Sequence, residues 1–145
     1  MTFTIPGDPY GKGRHRTNFE TKQTYTPKET VNYEALVKLF YQQAADGFFL
    51  GDGIPVRIRV DAYYQIPKSV SKKKLRAMLV GQVLPTKKPD WDNIGKIICD
   101  ALNGIAYKDD AQVVDGRVVK HYSEVPHTDV TIEEAFSEDL LDSNT

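Results

Sequence analysis

Acidic residues cluster between residues 87 and 115, in the stretch KKPDWDNIGKIICDALNGIAYKDDAQVVD. Asp90 and Asp92 stand at the start of a predicted helix, where the helix dipole favours ionised carboxylates. Asp109 and Asp110 follow the same helix closely and enter a predicted strand, which can fold back beside the helix start. Ionised carboxylates that meet in this way bind a hard cation such as Mg²⁺, which prefers oxygen ligands and retains several waters.

Lysines flank these carboxylates. Lys87 and Lys88 precede Asp90, and Lys96 lies one helical turn after Asp92. Phosphodiester hydrolysis uses both kinds of charge, because a metal ion activates the attacking water while a fixed cation stabilises the negative charge that develops on the phosphate. The cluster therefore predicts that the carboxylates hold a metal ion and that the lysines hold phosphate.

A purely structural role explains the helix start equally well when this helix is considered alone. Asp90 is a good N-cap residue, Asp92 complements the helix dipole, and Asp92 with Lys96 forms an ordinary i, i+4 ion pair. The second acidic pair, Asp109 and Asp110, favours the metal site, since capping of this helix does not require it.

The distribution of charge along the chain is uneven. The net charge is −1, yet residues 66–96 carry eight basic and two acidic side chains, and residues 97–145 carry three basic and eleven acidic ones. This arrangement suits a site that grips phosphate and also holds a metal ion, although two adjoining solvated faces explain it equally well. Lys12, Arg14 and Arg16 lie in a glycine-rich loop and are further candidates for phosphate contacts.

Composition excludes several classes of protein. The chain has 145 residues, and we expect one domain over residues 1–136 with a frayed acidic tail at 137–145. Cys99 is the only cysteine, which excludes an intrachain disulfide and a Cys/His zinc site. The sequence has no run of about 20 apolar residues that would span a membrane, and its N-terminus lacks the features of a signal peptide, so we expect a cytoplasmic protein.

Periodicity and turn residues predict the elements that position these residues. The clearest is a helix from Trp91 to about Asn103, whose apolar residues at helical spacing are Ile94, Ile97, Ile98, Ala101, Leu102 and Ile105. Two further helices are predicted. One is a scaffold helix that runs from a Thr26 cap to about Asp46 and carries Val31, Leu36, Leu39 and Phe40, and the other is a short helix capped by Ser69 or Ser71. The remaining predicted elements are a strand over 2–6, a loop over 7–18, a half-buried strand over 55–63, and an antiparallel pair of strands over 111–122 and 127–134. They indicate a mixed α/β (α+β) fold, in which a small mixed sheet of about four or five strands packs with three helices.

Residues 88–114 resemble the signature of the RusA-type Holliday junction resolvases, a family frequent in phages. The shared pattern is K-P-D-x-D-N, a lysine four residues after the second aspartate, D-A-L-N-G, an aromatic residue, and D-D-x-Q-[VI]-V. The N-terminal IPGDPYGKGRHR and TYTPKET resemble the phage branch as well. The resemblance implies a RusA-like homodimeric endonuclease that depends on Mg²⁺, with Mn²⁺ able to substitute, and that cuts four-way DNA junctions by paired symmetric incisions without a small-molecule cofactor or a membrane.

The resemblance also implies roles for single residues. By position in the pattern, the metal ligands are Asp90, Asp92 and Asp110, and the essential lysine is Lys96. The expected DNA contacts are Lys12, Arg14, Arg16, Lys87 and Lys88. Asp100 is in the pattern too, but its place on the helix favours a structural salt bridge. Position 91 is usually aliphatic in the family, and we interpret Trp91 as a buried anchor of the helix start in preference to a residue that stacks on a base.

Two other functions fit parts of the same sequence. One is a protein that binds and bends DNA junctions without cutting them, which the acidic residues disfavour because carboxylates repel phosphate unless metal intervenes. The other is a metal-dependent phosphohydrolase of nucleotides, which would cleave small substrates and have little affinity for branched DNA.

Overall fold

The fold is taken from a computed structural model that describes residues 1–13, 16–25 and 27–136. The elements in chain order are β1 (Thr2–Pro6), β2 (Arg16–Asn18), β3 (Gln23–Tyr25), α1 (Lys28–Ala45), β4 (Val56–Gln65), α2 (Lys72–Leu79), α3 (Trp91–Leu102), a 3₁₀ turn (Asp110–Gln112), β5 (Val113–Ser123) and β6 (His127–Glu134). Arg14, the predicted cap Thr26, the predicted tail 137–145 and the side chain of Arg16 lie outside the described residues. The described elements confirm a mixed α/β fold with three helices.

The main sheet has four strands in the order β1-β6-β4-β5. The central strand β4 pairs antiparallel with β6 and parallel with β5. The predicted pairing of the last two strands is therefore wrong, because β4 lies between them. Residues 124–126 cross the end of β4, where the Gln65 side chain donates a hydrogen bond to the carbonyl oxygen of Glu124 at 2.9 Å.

The core lies between the main sheet and the helices α1 and α3. Alternation along β4 turns Val56, Ile58, Val60 and Ala62 inward, as predicted, and all four are buried. Five members of the predicted apolar stripe of α3 are buried in the same core, namely Ile94, Ile97, Ile98, Ala101 and Leu102, whereas the sixth, Ile105, lies past the end of the helix and is only partly buried. Each buried isoleucine contributes roughly 1.5–3 kcal/mol to the free energy of unfolding. This packing fixes α3 on the sheet and leaves its polar face, with Asp92 and Lys96, outward.

Helix α1 is rotated relative to the predicted apolar face. It buries Thr30, Val37 and Tyr41 against β1 and α3, whereas Val31 and Leu39 are exposed. Its start also differs from the prediction, since Pro27 occupies the N-cap position and makes no side-chain cap hydrogen bond within the described residues. At the start of α2 the prediction is confirmed, because the Ser71 hydroxyl accepts a hydrogen bond from the backbone N–H of Lys74 at 3.2 Å.

The predicted basic loop contains part of a small hairpin. Strands β2 and β3 pair over three residues each, and the Asn18 side-chain oxygen accepts hydrogen bonds from the N–H groups of Glu20 and Thr21 in the turn. Strands this short give no readable alternation, which is why the sequence indicated a loop.

No helix among the described residues is long and apolar enough to cross a membrane.

Candidate active site

Asp90 occupies the N-cap position of α3, as predicted, but its side chain does not cap. Its carbonyl oxygen accepts the first helical hydrogen bond, from the N–H of Ile94 at 3.0 Å, and its exposed carboxylate makes no cap hydrogen bond within the described part of the chain. The preceding residue is held by Tyr64, whose hydroxyl donates to the carbonyl oxygen of Pro89 at 2.5 Å. Burial, together with the nearby charge of Asp90, raises the pKa of Tyr64 to about 12, so this hydroxyl remains a donor.

A cavity of about 330 Å³ opens between α3 and β5. Its polar lining includes the side chains of Asp92, Lys96, Asp100 and Asp110, and its apolar floor comes from the buried face of the sheet. Gly95 permits the close approach of the helix, since a Cβ atom there would lie 3.2 Å from a methyl carbon of Val118. The geometry therefore brings the acids of α3 together with one acid from the later 3₁₀ turn.

Asp110 is positioned by its neighbours in the D-D-x-Q segment. Asp109 accepts a hydrogen bond from the N–H of Ala111 at 3.0 Å, and the Gln112 side chain accepts one from the N–H of Asp109 at 2.9 Å. The N–H of Asp110 donates to the side chain of Asn103, just past the end of α3, at 3.0 Å. Asp109 thus caps the turn, and Asp110 is left to border the cavity.

Gln112 anchors the same turn to a second part of the chain. Its amide nitrogen donates to the carbonyl oxygens of Leu50, Gly51 and Ile54, at 3.3, 2.7 and 3.1 Å. Sequence reasoning assigned Gln112 no task. The structure shows that it ties the loop before β4 to the turn that carries Asp110.

Negative charge accumulates around Asp110. A hydrogen bond shared with Asp109 raises the pKa of Asp110, and partial burial with the charges of Asp109 and Asp100 adds to this, while Lys96 opposes it. The hydrogen bond from the N–H of Ala111 lowers the pKa of Asp109. The carboxylates that crowd Asp110 and raise its pKa favour the binding of a cation, because an opposite charge nearby stabilises the ionised form.

Asp100 forms the salt bridges predicted for it. Its carboxylate lies 3.3 Å from the ammonium of Lys12 and 3.7 Å from that of Lys96. The Lys12 ammonium is also 2.5 Å from Glu34, and the Lys12 side chain is only 15% exposed. Burial acts to lower the pKa of Lys12, but Glu34 and Asp100 outweigh it and raise the pKa. Glu34 and Asp100 already form ion pairs with the Lys12 ammonium. The contact of Lys12 with DNA therefore stays a prediction.

The N-terminal loop packs directly on the start of α3. The N–H of Lys12 donates to the carbonyl oxygen of Asn93 at 2.9 Å. A Cβ atom at Gly11 would lie 2.8 Å from the Cβ of Pro89, so glycine is required at this contact. The glycine-rich loop thereby supports the segment that carries Asp90 and Asp92.

A second cavity, of about 450 Å³, lies on the lysine side of the helix start and shares Trp91 and Asp92 with the first. Its other lining residues are Thr86, Lys87, Lys88, Asp90 and Lys120. Lys120 was missed by sequence reasoning. Its ammonium donates to the carbonyl oxygen of Lys87 at 2.6 Å and lies 5.0 Å from the centre of the Tyr64 ring. The sequence gives no signal of this role, because it follows from the pairing of β4 with β5, which places Lys120 in register with the buried Ala62.

The three predicted metal ligands do not form one compact cluster. Among the described residues, no group of three or more His, Cys, Asp and Glu side chains lies close enough to hold a metal ion. Asp92 borders both cavities, Asp110 borders the first, and Asp90 borders the second. Asp92 and Asp110 still fit Mg²⁺, which binds proteins through one or two carboxylates and completes its shell with water and substrate phosphate.

Trp91 is exposed, and its interpretation as a buried anchor is wrong. It retains 63% of its possible accessible surface. The isoleucine stripe already anchors the helix, and side chains on a helix point toward its N-terminus, so a residue at the first position projects beyond the core. Asp115, the last acidic residue of the 87–115 stretch, forms a salt bridge with Arg57, in which Nε lies 2.9 Å from the carboxylate oxygen.

Comparison with known proteins identifies the family to which this chain belongs. Residues 6–133 match the RusA endodeoxyribonuclease family, and the chain is a member of that family. The match includes the segment that carries Asp90, Asp92, Lys96 and Asp110.

A relative occurs in Bacillus subtilis (strain 168). It is the uncharacterized protein YqaN, which is 39% identical over 138 residues, covering 92% of this chain and 96% of the relative. The family therefore rests on the match to RusA.

Proposed function

We propose that this protein is a homodimeric, Mg²⁺-dependent endonuclease that resolves four-way DNA junctions by paired symmetric cuts. The observation that carries the proposal is the cavity that Asp92, Lys96 and Asp110 line together, next to a second cavity lined by lysines. Membership of the RusA family supports DNA, and junction DNA in particular, as the substrate.

Asp92 and Asp110 are the proposed metal ligands, with Asp90 at the rim. Mg²⁺ held by these carboxylates would supply an activated water and would neutralise charge on the scissile phosphate. Asp109 and Asn103 hold Asp110 through the turn, so its carboxylate is positioned before substrate arrives. Lys96 is exposed on the cavity wall. Its fixed positive charge would stabilise the negative charge that develops on the phosphate in the transition state.

The second cavity, lined by Lys87, Lys88 and Lys120 and called the lysine cavity below, is the proposed binding site of the DNA backbone. Lys87 and Lys88 are exposed there, and Lys120 fixes the backbone of Lys87. Contacts of this kind release counterions from DNA, so junction binding should weaken steeply as salt increases. Arg14 and Arg16 remain proposed contacts from the N-terminal side.

Two equivalent active sites are needed to cut two strands symmetrically. A two-fold dimer provides them with one self-complementary interface, which matches the two-fold symmetry of a four-way junction.

The test compares a labelled four-way junction with a linear duplex of matching sequence, each in Mg²⁺ and in EDTA. We expect paired nicks on the junction alone, and only with metal. The Asp92→Asn variant should lose cleavage and keep junction affinity, because it removes a metal ligand from an exposed position. Tight junction binding without cleavage in Mg²⁺ or Mn²⁺ would overturn the proposal in favour of a binding protein. Hydrolysis of free nucleotides with no affinity for junctions would overturn it in favour of a phosphohydrolase.

A further inference from the structure

Trp91 presents a large apolar surface to solvent where the two cavities adjoin. It stands between Asp90 and Asp92 in the sequence and lines both the acidic and the lysine cavity. With 63% of its surface accessible, it gains little from the core of this chain. Tryptophan is enriched at binding interfaces, where its ring provides a large apolar contact and its N–H reaches polar groups.

The indole ring is available for stacking. Within the described residues, Trp91 takes part in none of the aromatic pairs, which involve Phe3, Tyr10, Tyr63 and their partners. It also makes no side-chain hydrogen bond to another described residue. A ligand with a flat π surface would therefore meet an unoccupied indole.

We propose that Trp91 is a stacking platform for an unpaired nucleobase of the DNA substrate. This inference rests on the proposed function and deepens it. A strand whose phosphate lies between the lysine cavity and Asp92 brings its bases beside the indole, because base and phosphate belong to one nucleotide. Every base has a π face, so the contact tolerates any sequence.

The platform gives the site a means of recognising structure. In a continuous duplex each base is stacked on both faces and paired, so none is free to cover the indole. At the centre of a branched substrate, bases at the crossover lose a stacking neighbour and can be displaced. Stacking on Trp91 would then lower the free energy of the opened junction and leave the duplex unaffected.

Fluorescence offers a direct test, since Trp91 is the only tryptophan in the chain. The wild-type protein is titrated with four-way junction, single-stranded oligonucleotide and blunt duplex, with Ca²⁺ in place of Mg²⁺ to prevent cleavage. We expect strong quenching by the junction and the single strand, and little by the duplex. A second probe is 2-aminopurine at the crossover, whose own emission should fall on binding to wild type.

Variants separate stacking from simple apolar contact. Trp91→Phe should keep most of the junction affinity, whereas Trp91→Leu should bind roughly 5- to 150-fold more weakly, the factor expected for loss of one stacked base. Phe136→Leu is the matched control, because Phe136 is 55% exposed and lines neither cavity. Circular dichroism checks that each variant is folded.

Two outcomes would overturn the inference. One is a Trp91→Leu variant that binds and cuts junctions like wild type, which would leave the proposed nuclease intact. The other is emission from the free protein that shifts to the blue as concentration rises, with no response to DNA, because the indole would then be buried between two copies. Absence of cleavage by wild type, with quenching intact, would count against the nuclease and not against stacking.

Discussion

Two adjacent aspartates at the candidate active site have different positions and different hydrogen bonds. Asp110 borders the cavity, and Asp109 caps the turn. We expect Asp110→Asn to reduce metal-dependent junction cleavage on the order of 100-fold or more, since it removes a proposed metal ligand. Asp109→Asn should retain most activity, because asparagine caps about as well as aspartate. Single-turnover cleavage measures both, and equal losses in the two variants would contradict this division.

Gly11 sets how closely the N-terminal loop approaches the start of α3. A Cβ atom there would meet the Cβ of Pro89 at 2.8 Å and that of Asn93 at 3.1 Å, so one partner must move. We expect Gly11→Ala to lower the free energy of unfolding by about 1–3 kcal/mol, as overpacking does, and to reduce cleavage by displacing Asp90 and Asp92.

The measurements for Gly11→Ala are urea unfolding and the cleavage rate. Gly51→Ala is a suitable control, because nothing lies within 4 Å of a Cβ atom at that glycine. Equal stability and equal activity in the two variants would show that the loop yields freely.

The 3₁₀ turn depends on a glutamine that links two stretches of chain. Gln112→Ala removes three donated hydrogen bonds to the loop before β4 and one accepted from Asp109. We expect it to destabilise the fold by about 1–3 kcal/mol, because carbonyl groups are left unpaired.

Gln112→Glu separates the two roles of this side chain, since it keeps the acceptor for Asp109 and loses the donors to the loop. Thermal unfolding with a cleavage assay measures both effects. Wild-type stability of Gln112→Ala would show that water replaces these bonds without cost.

The outer face of β4 carries a charge network with a pH dependence. Burial acts to raise the pKa of Asp61, but hydrogen bonds and charges from Arg59 and His121 outweigh it and leave the pKa below its ordinary value. Tyr63 and Asp129 face the same group. A lowered folded pKa gives stability that is present above the unfolded value of about 3.9 and is lost as the pH falls through the folded value.

Replacing Asp61 tests this network. Asp61→Asn should lose less stability than wild type between pH 6 and pH 3, measured as the free energy of unfolding in urea. The control is Asp8→Asn, at an exposed aspartate in a loop. An unchanged slope in Asp61→Asn would show that the network adds nothing.

The elements that sequence predicted best are those with a strong period. Strand β4 alternates over its length and α3 repeats its isoleucines, so their faces were correctly predicted. Strands β2 and β3 are too short to show a period. The prediction that β5 pairs with β6 was wrong, because alternation indicates which face of a strand is buried and not which strand lies beside it.

For the site, residue type and spacing predicted the participants better than their arrangement. Asp92, Lys96 and Asp110 do share a cavity, but Asp90 faces the other one. Lys120 and Gln112 act through contacts with residues that are distant in sequence. The exposure of Trp91 depends on where the core ends along α3. None of these is visible without the packing of α3 on the sheet.

At the scale of the whole molecule, paired cutting requires two working subunits in one complex. Mixing wild type with excess Asp92→Asn should yield dimers that hold one working site. We expect these dimers to nick a single strand of a junction carried on a supercoiled plasmid, which separates nicked from linear products. Unchanged production of linear product in the mixture would contradict a dimer with one cut per subunit.

The parallel pairing of β4 and β5 has a consequence for how the enzyme is made. Partner residues on these strands stand about 58 positions apart, and Asp90, Asp92, Lys96 and Asp110 all lie in the connection between them. Loop-closure entropy delays such long-range pairing during folding. A nascent chain still lacking β5 contains every proposed catalytic side chain but not the strand that gathers them, so the proposed nuclease activity should emerge only after β5 has left the ribosome.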